Sequence, residues 1–235
     1  MIYGAILAGG VGSRVKSASI PKQFIELDGK PVIAYTIENM LKVPRFDAIY
    51  IAVHGEWMEY MQRLVSDHFS AEQARIRLTY GGKERLDSIR NVTDAICREN
   101  ALGEQDVIVI HDAARPFVTE KILNDSIDCA MAHGAVVAAL PASDTILHSL
   151  NGQEVSEIPD RKMVYHGQAP DSFNLKLFLD MQAAIPEEKK AEITGTSQIC
   201  TLNGVTLHMV EGDSINFKIT TDSDLVMAEN IIRNR

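Results

Sequence analysis

Cysteine is scarce in this chain of 235 residues: Cys97, Cys129 and Cys200 lie far apart, with no CxxC spacing and no Cys/His cluster. That excludes a disulfide framework and leaves no pattern for a zinc site. Positive charge is short as well. Twenty-three Lys and Arg stand against 32 Asp and Glu, a formal net charge of -9, whereas a general nucleic-acid surface needs clustered positive charge. Any basic site must therefore be local. No segment approaches the ~20 apolar residues of a membrane-spanning helix. The chain opens on a strand-length run at 1–7, not on the basic region, long apolar stretch and cleavage site of a secretory leader. A reducing cytoplasm is the expected compartment.

What is present is the pattern of one α/β domain filling the whole chain, 1–235. Short apolar runs at 2–7, 48–53, 107–111 and 135–140 read as buried strands, with stretches of helical period between them. After Gly82, the residues Leu86, Ile89, Val92, Ile96 and Cys97 recur at helical spacing, as do Trp57, Met61, Leu64 and Val65, and Leu225, Ala228, Ile231 and Ile232. Thr119 is placed to cap one helix, and Asp222 or Ser223 the last. The alternation breaks over 141–170, where Pro141, Asn151-Gly152 and Pro159 punctuate an extended arm or hairpin. Such an arm packs on a second copy of the chain or lies as a surface loop. The charged cluster at 187–192 reads as a solvated loop or helix end.

Five segments carry chemistry. Leu7-Ala8-Gly9-Gly10-Val11-Gly12-Ser13-Arg14 follows the first strand, where open α/β sheets bind ligands. Glycines there let backbone N–H groups approach phosphate oxygens, but the spacing is neither the dinucleotide fingerprint nor a GK[ST] P-loop. Alone it could be only a tight turn. Arg14 and Lys22, in Pro21-Lys22-Gln23, add fixed cations able to stabilise a phosphoryl group under attack; taken singly, either is a solvated surface charge. Gly81-Gly82, before Arg85 and Ser88, forms a turn that could hold a base or ribose, or plain helix punctuation. In Val109-Ile110-His111-Asp112-Ala113-Ala114-Arg115-Pro116 a strand runs into Asp112, a natural Mg²⁺ ligand beside nucleotide phosphates, or else half of an Asp112–Arg115 ion pair that shapes the loop. His111 orients that loop. In the stretch 212–221, strand alternation would put Asn216, Lys218 and Thr220 on one face and Phe217 and Ile219 on the other.

Taken in order, these segments resemble the family of methylerythritol-phosphate and ribitol-5-phosphate cytidylyltransferases, and the likeness runs nearly end to end. It rests on residues 7–14, 21–23, Gly81-Gly82 with Arg85 and Ser88, 111–116, Asp144-Thr145, 167–173 and 216–220. The resemblance implies a Rossmann-like, mostly parallel sheet flanked by helices, a β-arm joining two subunits of a homodimer, and Mg²⁺-dependent attack of a polyol phosphate on the α-phosphorus of CTP. By matching position, Leu7, Ala8, Gly9, Gly10, Gly82, Lys83, Glu84, Arg85, Leu86, Asp87, Ser88 and Asp112 would hold CTP, and Arg14 and Lys22 would stabilise the transition state. Arg161, supplied across the dimer, and Lys218 would position the polyol phosphate, with Arg115, Asp144, Thr145 and Thr194 on the acceptor side. Asp112 would sit by the metal, with Asp213 a further companion.

The ribitol-5-phosphate branch is the closer likeness, through Phe24, Trp57 and Ile158-Pro159-Asp160-Arg161…Tyr165-His166-Gly167-Gln168; the methylerythritol branch is the runner-up. Two departures fall on the acceptor side. Where the family has Gln-Thr-Pro-Gln, this chain has Gln168-Ala169-Pro170-Asp171, and Thr194-Gly195-Thr196 replaces a Thr-Asp-Ala type of segment. A carboxylate near a dianionic substrate repels it, so Asp171 either faces away or recognises hydroxyls. A sugar-1-phosphate nucleotidyltransferase and a non-catalytic nucleotide-binding protein are the competing readings.

Overall fold

The computed structural model describes residues 1–10, 20–190, 193 and 195–234. In chain order the elements are β1 (Ile2–Ala8), β2 (Glu26–Leu27), β3 (Lys30–Pro31), α1 (Val32–Leu41), β4 (Ala48–Val53), α2 (Met58–His68), β5 (Ile76–Tyr80), α3 (Arg85–Glu99), β6 (Val107–Asp112), α4 (Glu120–His133), β7 (Ala135–Pro141), β8 (Tyr165–Asn174), α5 (Leu175–Ala183), α6 (Glu187–Lys190), α7 (Ser197–Leu202), β9 (His208–Glu211) and α8 (Asp222–Arg233). Seven strands form one sheet in the order β5-β4-β1-β6-β8-β7-β9, and β2 and β3 pair as a small separate ribbon. Strands β5, β4, β1 and β6 run parallel, as do β7 and β9, while β8 runs antiparallel to both its neighbours.

Strands buried on both faces must be apolar on both, which is why the runs are continuous. In β1, β4 and β6, Ile6, Ile49, Ile51, Val107 and Val109 enter one core with α1, α2 and α4. The intervening Tyr3, Ala5, Tyr50, Ala52, Ile108 and Ile110 enter a second core with α3, α5 and α7. A third cluster joins α8 to Leu27, Val32, Phe117 and Ile219.

The expected strands at the front of the chain and the helices α2, α3 and α8 form as read. Cys97, however, is exposed, so α3 buries Ile89, Val92, Ala95 and Ile96 instead. Thr119 caps α4, accepting the Ile122 N–H at 3.2 Å. The cap of α8 is Thr221, one residue earlier than read, because Thr221 and Asp224 form a reciprocal capping box. The stretch 141–170 divides: Pro141 ends β7, and Tyr165 already belongs to β8. Between them the legs of a hairpin meet at Ala142–Val164 and His148–Glu157, around a turn in which Asn151 accepts the N–H groups of Gln153 and Glu154. The stretch 212–221 forms no strand, and its alternation fails at Asn216, which is fully buried.

Gly134 ends α4 at φ +88°, and a Cβ there would lie 2.9 Å from Leu177 Cδ2. Gly134→Ala therefore lowers stability by about 1–3 kcal/mol, measured as a shift in the urea midpoint; an unchanged midpoint would show the turn relaxes without cost.

Candidate active site

Because β5, β4, β1 and β6 are parallel, their carboxyl ends share one edge of the sheet. Antiparallel β8 brings its first half to that same edge, with Asp171 paired to Ile110 near the end of β6. The loop after β1 meets the loop after β5 so closely that a Cβ on Gly81 would lie 3.1 Å from Gly9 Cα, and one on Gly82 would strike Asp87 Cβ. Only glycine allows these backbones to approach. Gly82 N donates to Ser88 Oγ at 3.0 Å, and the N-terminus of α3 is closed by a reciprocal cap between Glu84 and Asp87.

A cleft of about 280 Å³ opens at this edge. Leu7, Gly9, Gly10, Gly82, Glu84 and Ser88 line it, and four cations, Lys22, Lys83, Arg85 and Lys218, face two carboxylates, Glu84 and Asp112. A locally basic cleft thus sits in an acidic chain, at the positive end of a helix dipole, which suits anionic phosphates. Of the residues expected here, Leu86 and Asp87 turn elsewhere: Leu86 packs on the second core and Asp87 serves as the cap. Ala8 contributes its carbonyl, which accepts from Gln23. Arg14 and Thr194 lie outside the described residues.

Asp112 is the hub. Its Oδ1 meets Arg85 Nη1 at 2.5 Å, and its Oδ2 meets Arg115 Nε and Lys218 Nζ, each at 3.1 Å. Burial works against the charge on Asp112, but Arg85, Lys218 and Arg115 outweigh it and hold the carboxyl well below the usual range. The ion pair with Arg115 that the sequence offered as a loop-shaping contact is therefore real, and it is one of three. His111, fully buried, holds the same loop through Nε2, 3.1 Å from the Arg115 carbonyl. As a carbonyl only accepts, Nε2 carries the proton. Burial lowers the His111 pKa from 6.5 to about 4.

A second cleft shares Arg85, Asp112 and Lys218 with the first and adds Arg115, Gln168, Ala169, Asp171, Gly195, Thr196 and Ser197. The segments that depart from the family pattern are thus brought together on its wall. Asp171 does not face away: it is buried, 4.0 Å from Arg85 Nη2, and accepts a hydrogen bond from Ser197.

Two buried amides fix the edges of the site. Gln23 Nε2 donates to the carbonyls of Ala8 (2.9 Å) and Gly10 (2.8 Å), tying the first loop to the turn that carries Lys22. Asn216 Nδ2 donates to Ala169 O (2.7 Å) and Gln168 Oε1 (3.2 Å), and Arg115 donates to the Asn216 carbonyl. Lys22 Nζ reaches the Ile219 carbonyl at 2.7 Å, so both clefts lean on the stretch after β9. Neither amide was assigned a role from sequence; the one signal for Gln23 was its place beside Lys22.

Other expected residues are not brought here within one chain. Arg161 donates to the Ser143 carbonyl at 2.9 Å in the hairpin, where Asp144 and Thr145 are exposed, and none of the three lines either cleft. The Asp213 carboxylate accepts the Ile215 N–H at 3.0 Å and lines a separate depression, away from Asp112. Among the described residues no three His, Cys, Asp or Glu side chains gather as metal ligands. Asp112, the carboxylate expected beside Mg²⁺, has both oxygens paired with Arg85, Arg115 and Lys218, so a cation would bind there only beside phosphates that draw those partners away.

The family model of 2-C-methyl-D-erythritol 4-phosphate cytidylyltransferase (IspD) matches residues 2–234. The chain belongs to this family. Ribitol-5-phosphate cytidylyltransferases of Streptococcus pneumoniae serotypes 2 and 4 are 38% identical to it, with 99% of each chain covered. Among solved structures, 4-diphosphocytidyl-2C-methyl-D-erythritol synthase of Anaerococcus prevotii superposes with a TM-score of 0.80 at 25% identity, covering 99% of this chain and 98% of the other. The Francisella tularensis 2-C-methyl-D-erythritol 4-phosphate cytidylyltransferase gives 0.78 at 25% identity, covering 97% of each. These cytidylyltransferases share the helix-flanked, mostly parallel sheet, and no helix among the described residues is long and apolar enough to cross a membrane.

Since His111 is buried and neutral, the unfolded chain takes up its proton first as pH falls. Stability contributed by its neutral burial is therefore present above pH 6.5 and lost between 6.5 and about 4, an amount of about 3 kcal/mol. Other groups also change charge as pH falls, so the readout is the difference from His111→Asn in urea midpoints across pH. The variant should show the shallower loss; parallel curves would remove His111 as the cause.

Proposed function

We propose that this chain transfers CMP from CTP to D-ribitol 5-phosphate, giving CDP-ribitol and pyrophosphate. The observation that carries the reading is the pair of clefts sharing Arg85, Asp112 and Lys218: a nucleotide in the glycine-lined cleft and an acceptor in the other would meet at that shared wall. The choice of ribitol 5-phosphate is supported by the relatives at 38% identity that bear that name.

In this reading Gly9, Gly10, Gly82, Lys83 and Ser88 hold CTP. Lys22, with Arg14, stabilises the charge that grows on the α-phosphate as an acceptor phosphate oxygen bonds to phosphorus and pyrophosphate leaves. Such transfer needs positioning and positive charge more than acid–base chemistry, which suits the neutral, buried His111 as a loop-holding residue. Lys218 and Arg115 meet the acceptor phosphate. Asp112 is the residue that would hold Mg²⁺, which would neutralise charge on the triphosphate. Phosphates that paired with Arg85, Arg115 and Lys218 would leave the Asp112 carboxylate open to such a cation. The hairpin exposes Leu147, Leu150, Val155, Ile158 and Met163, an apolar surface that fits a homodimer in which Arg161 enters the acceptor cleft of the partner.

The runner-up acceptor, 2-C-methyl-D-erythritol 4-phosphate, is favoured by the names of the family model and of the solved neighbours. Incubation with CTP, Mg²⁺ and a panel of pentitol and tetritol phosphates decides between them. A CDP-linked product from ribitol 5-phosphate is expected. Turnover of methylerythritol phosphate alone, or pyrophosphate release with UTP or GTP and not CTP, would overturn the proposal. In the same assay Lys22→Ala should lower kcat by about 10²–10³-fold with an unchanged far-UV spectrum; near-normal turnover would take Lys22 out of the mechanism.

A further inference from the structure

The second cleft contains two kinds of chemistry. Arg115 and Lys218, on Asp112, are cationic and suit a phosphate. Asp171, Thr196 and Ser197 are of another kind. Asp171 is 6% exposed and Thr196 1%. Ser197 Oγ donates to Asp171 Oδ1 at 2.8 Å. Thr196 Oγ1 lies beside the same carboxyl group, where it favours the charged form, yet makes no hydrogen bond of sound geometry. Arg85 is the nearest cation in this group, and 4.0 Å is too long for a hydrogen bond.

A buried hydroxyl whose one polar contact is poorly aligned is under-satisfied, and one that lines a cleft can be satisfied by a ligand. A carboxyl group with two hydroxyls, no cation in hydrogen-bond reach and apolar Ala169 and Val137 alongside is a poorer place for a phosphate than the cations of the same cleft. It offers donors and acceptors to alcohols. Burial pushes the Asp171 pKa up, against Ser197, Arg85 and Thr196. The two chemistries therefore orient a polyol phosphate, its phosphate on the cations and its hydroxylated chain on Asp171.

We infer that Asp171, held by Ser197 and flanked by Thr196, reads a hydroxyl of the acceptor chain and so determines which polyol phosphate this enzyme prefers. The inference rests on the preceding reading that the acceptor is a polyol phosphate. It places specificity at a position where the family resemblance leads one to expect an amide.

The test compares kcat/KM for ribitol 5-phosphate and its four single-deoxy analogues in the wild type, Asp171→Ala, Asp171→Asn and Ser197→Ala. A site built to bond a hydroxyl rejects the analogue lacking it strongly, so the wild type should discriminate against one analogue by at least ~100-fold. Asp171→Ala should lose a similar factor on ribitol 5-phosphate and less than about threefold on that analogue, with the Asn and Ser197→Ala variants between. The Kd for CTP, from calorimetry, should stay within about threefold, which reports an intact nucleotide half. Parallel losses on every acceptor would mean that Asp171 acts through Arg85 or through folding, and would overturn the inference. So would a wild type indifferent to all four deletions. Should Asp171→Ala not fold, the Asn and Ser197→Ala variants carry the same comparison. A wild type that turns over no polyol phosphate fails the preceding reading and the inference together; parallel losses in the variants fail the inference alone.

Discussion

A single buried carboxylate holds this site together. Asp112 sits at the end of β6 with almost no exposure, and such a charge is tolerable only when paired. Its three partners arrive from different parts of the chain: Arg85 from the first turn of α3, Arg115 from its own loop and Lys218 from the stretch after β9. The electrostatic requirement of one residue thus sets the positions of three cations. Arg85 and Lys218, with Asp112 itself, are the wall between the two clefts, and Arg115 lines the second, so the requirement that keeps Asp112 ionised also prepares a surface for phosphate.

The sheet makes that convergence possible. Parallel strands deliver the ends of β1, β5 and β6 to one edge, and β8, running the other way, adds its beginning, Gln168 to Asp171, beside them. Backbone that leaves a sheet must satisfy its polar groups, and buried amides do so here. Gln23 bridges the first loop to the Lys22 turn, and Asn216 binds the beginning of β8 to the stretch that carries Lys218. The Lys22 turn is anchored from behind as well, since Phe24 stacks on Trp57 with ring centroids 4.8 Å apart. Those two residues were read from sequence only as marks of one family branch; in the fold they are a contact that steadies a cation.

Much of this was legible in one dimension. Apolar runs revealed β1, β4, β6 and β7 because strands buried on both faces admit little else, and α2, α3 and α8 showed their period because one side of each meets solvent. Gly9 and Gly81 were legible because close approach of two backbones demands glycine. β8 was not, because Gly167-Gln168-Ala169-Pro170-Asp171 has neither a long apolar run nor a clean alternation, and it joins the sheet by antiparallel pairing with residues far away in sequence. Nor was the burial of Asn216, whose partners lie nearly fifty residues earlier.

By itself the sequence determined the α/β class, the glycine-lined edge and the residue types that can meet phosphate, because these follow from local periodicity and from chemistry carried within short segments. Only the tertiary structure decided which charges pair. It set Asp112 against three cations, kept Asp213 in its own turn, left Arg161 in the hairpin, and turned Asp171 into the second cleft with Ser197. The reason is physical: Coulomb and hydrogen-bond partners are chosen by distance in space, and spacing along the chain does not encode it.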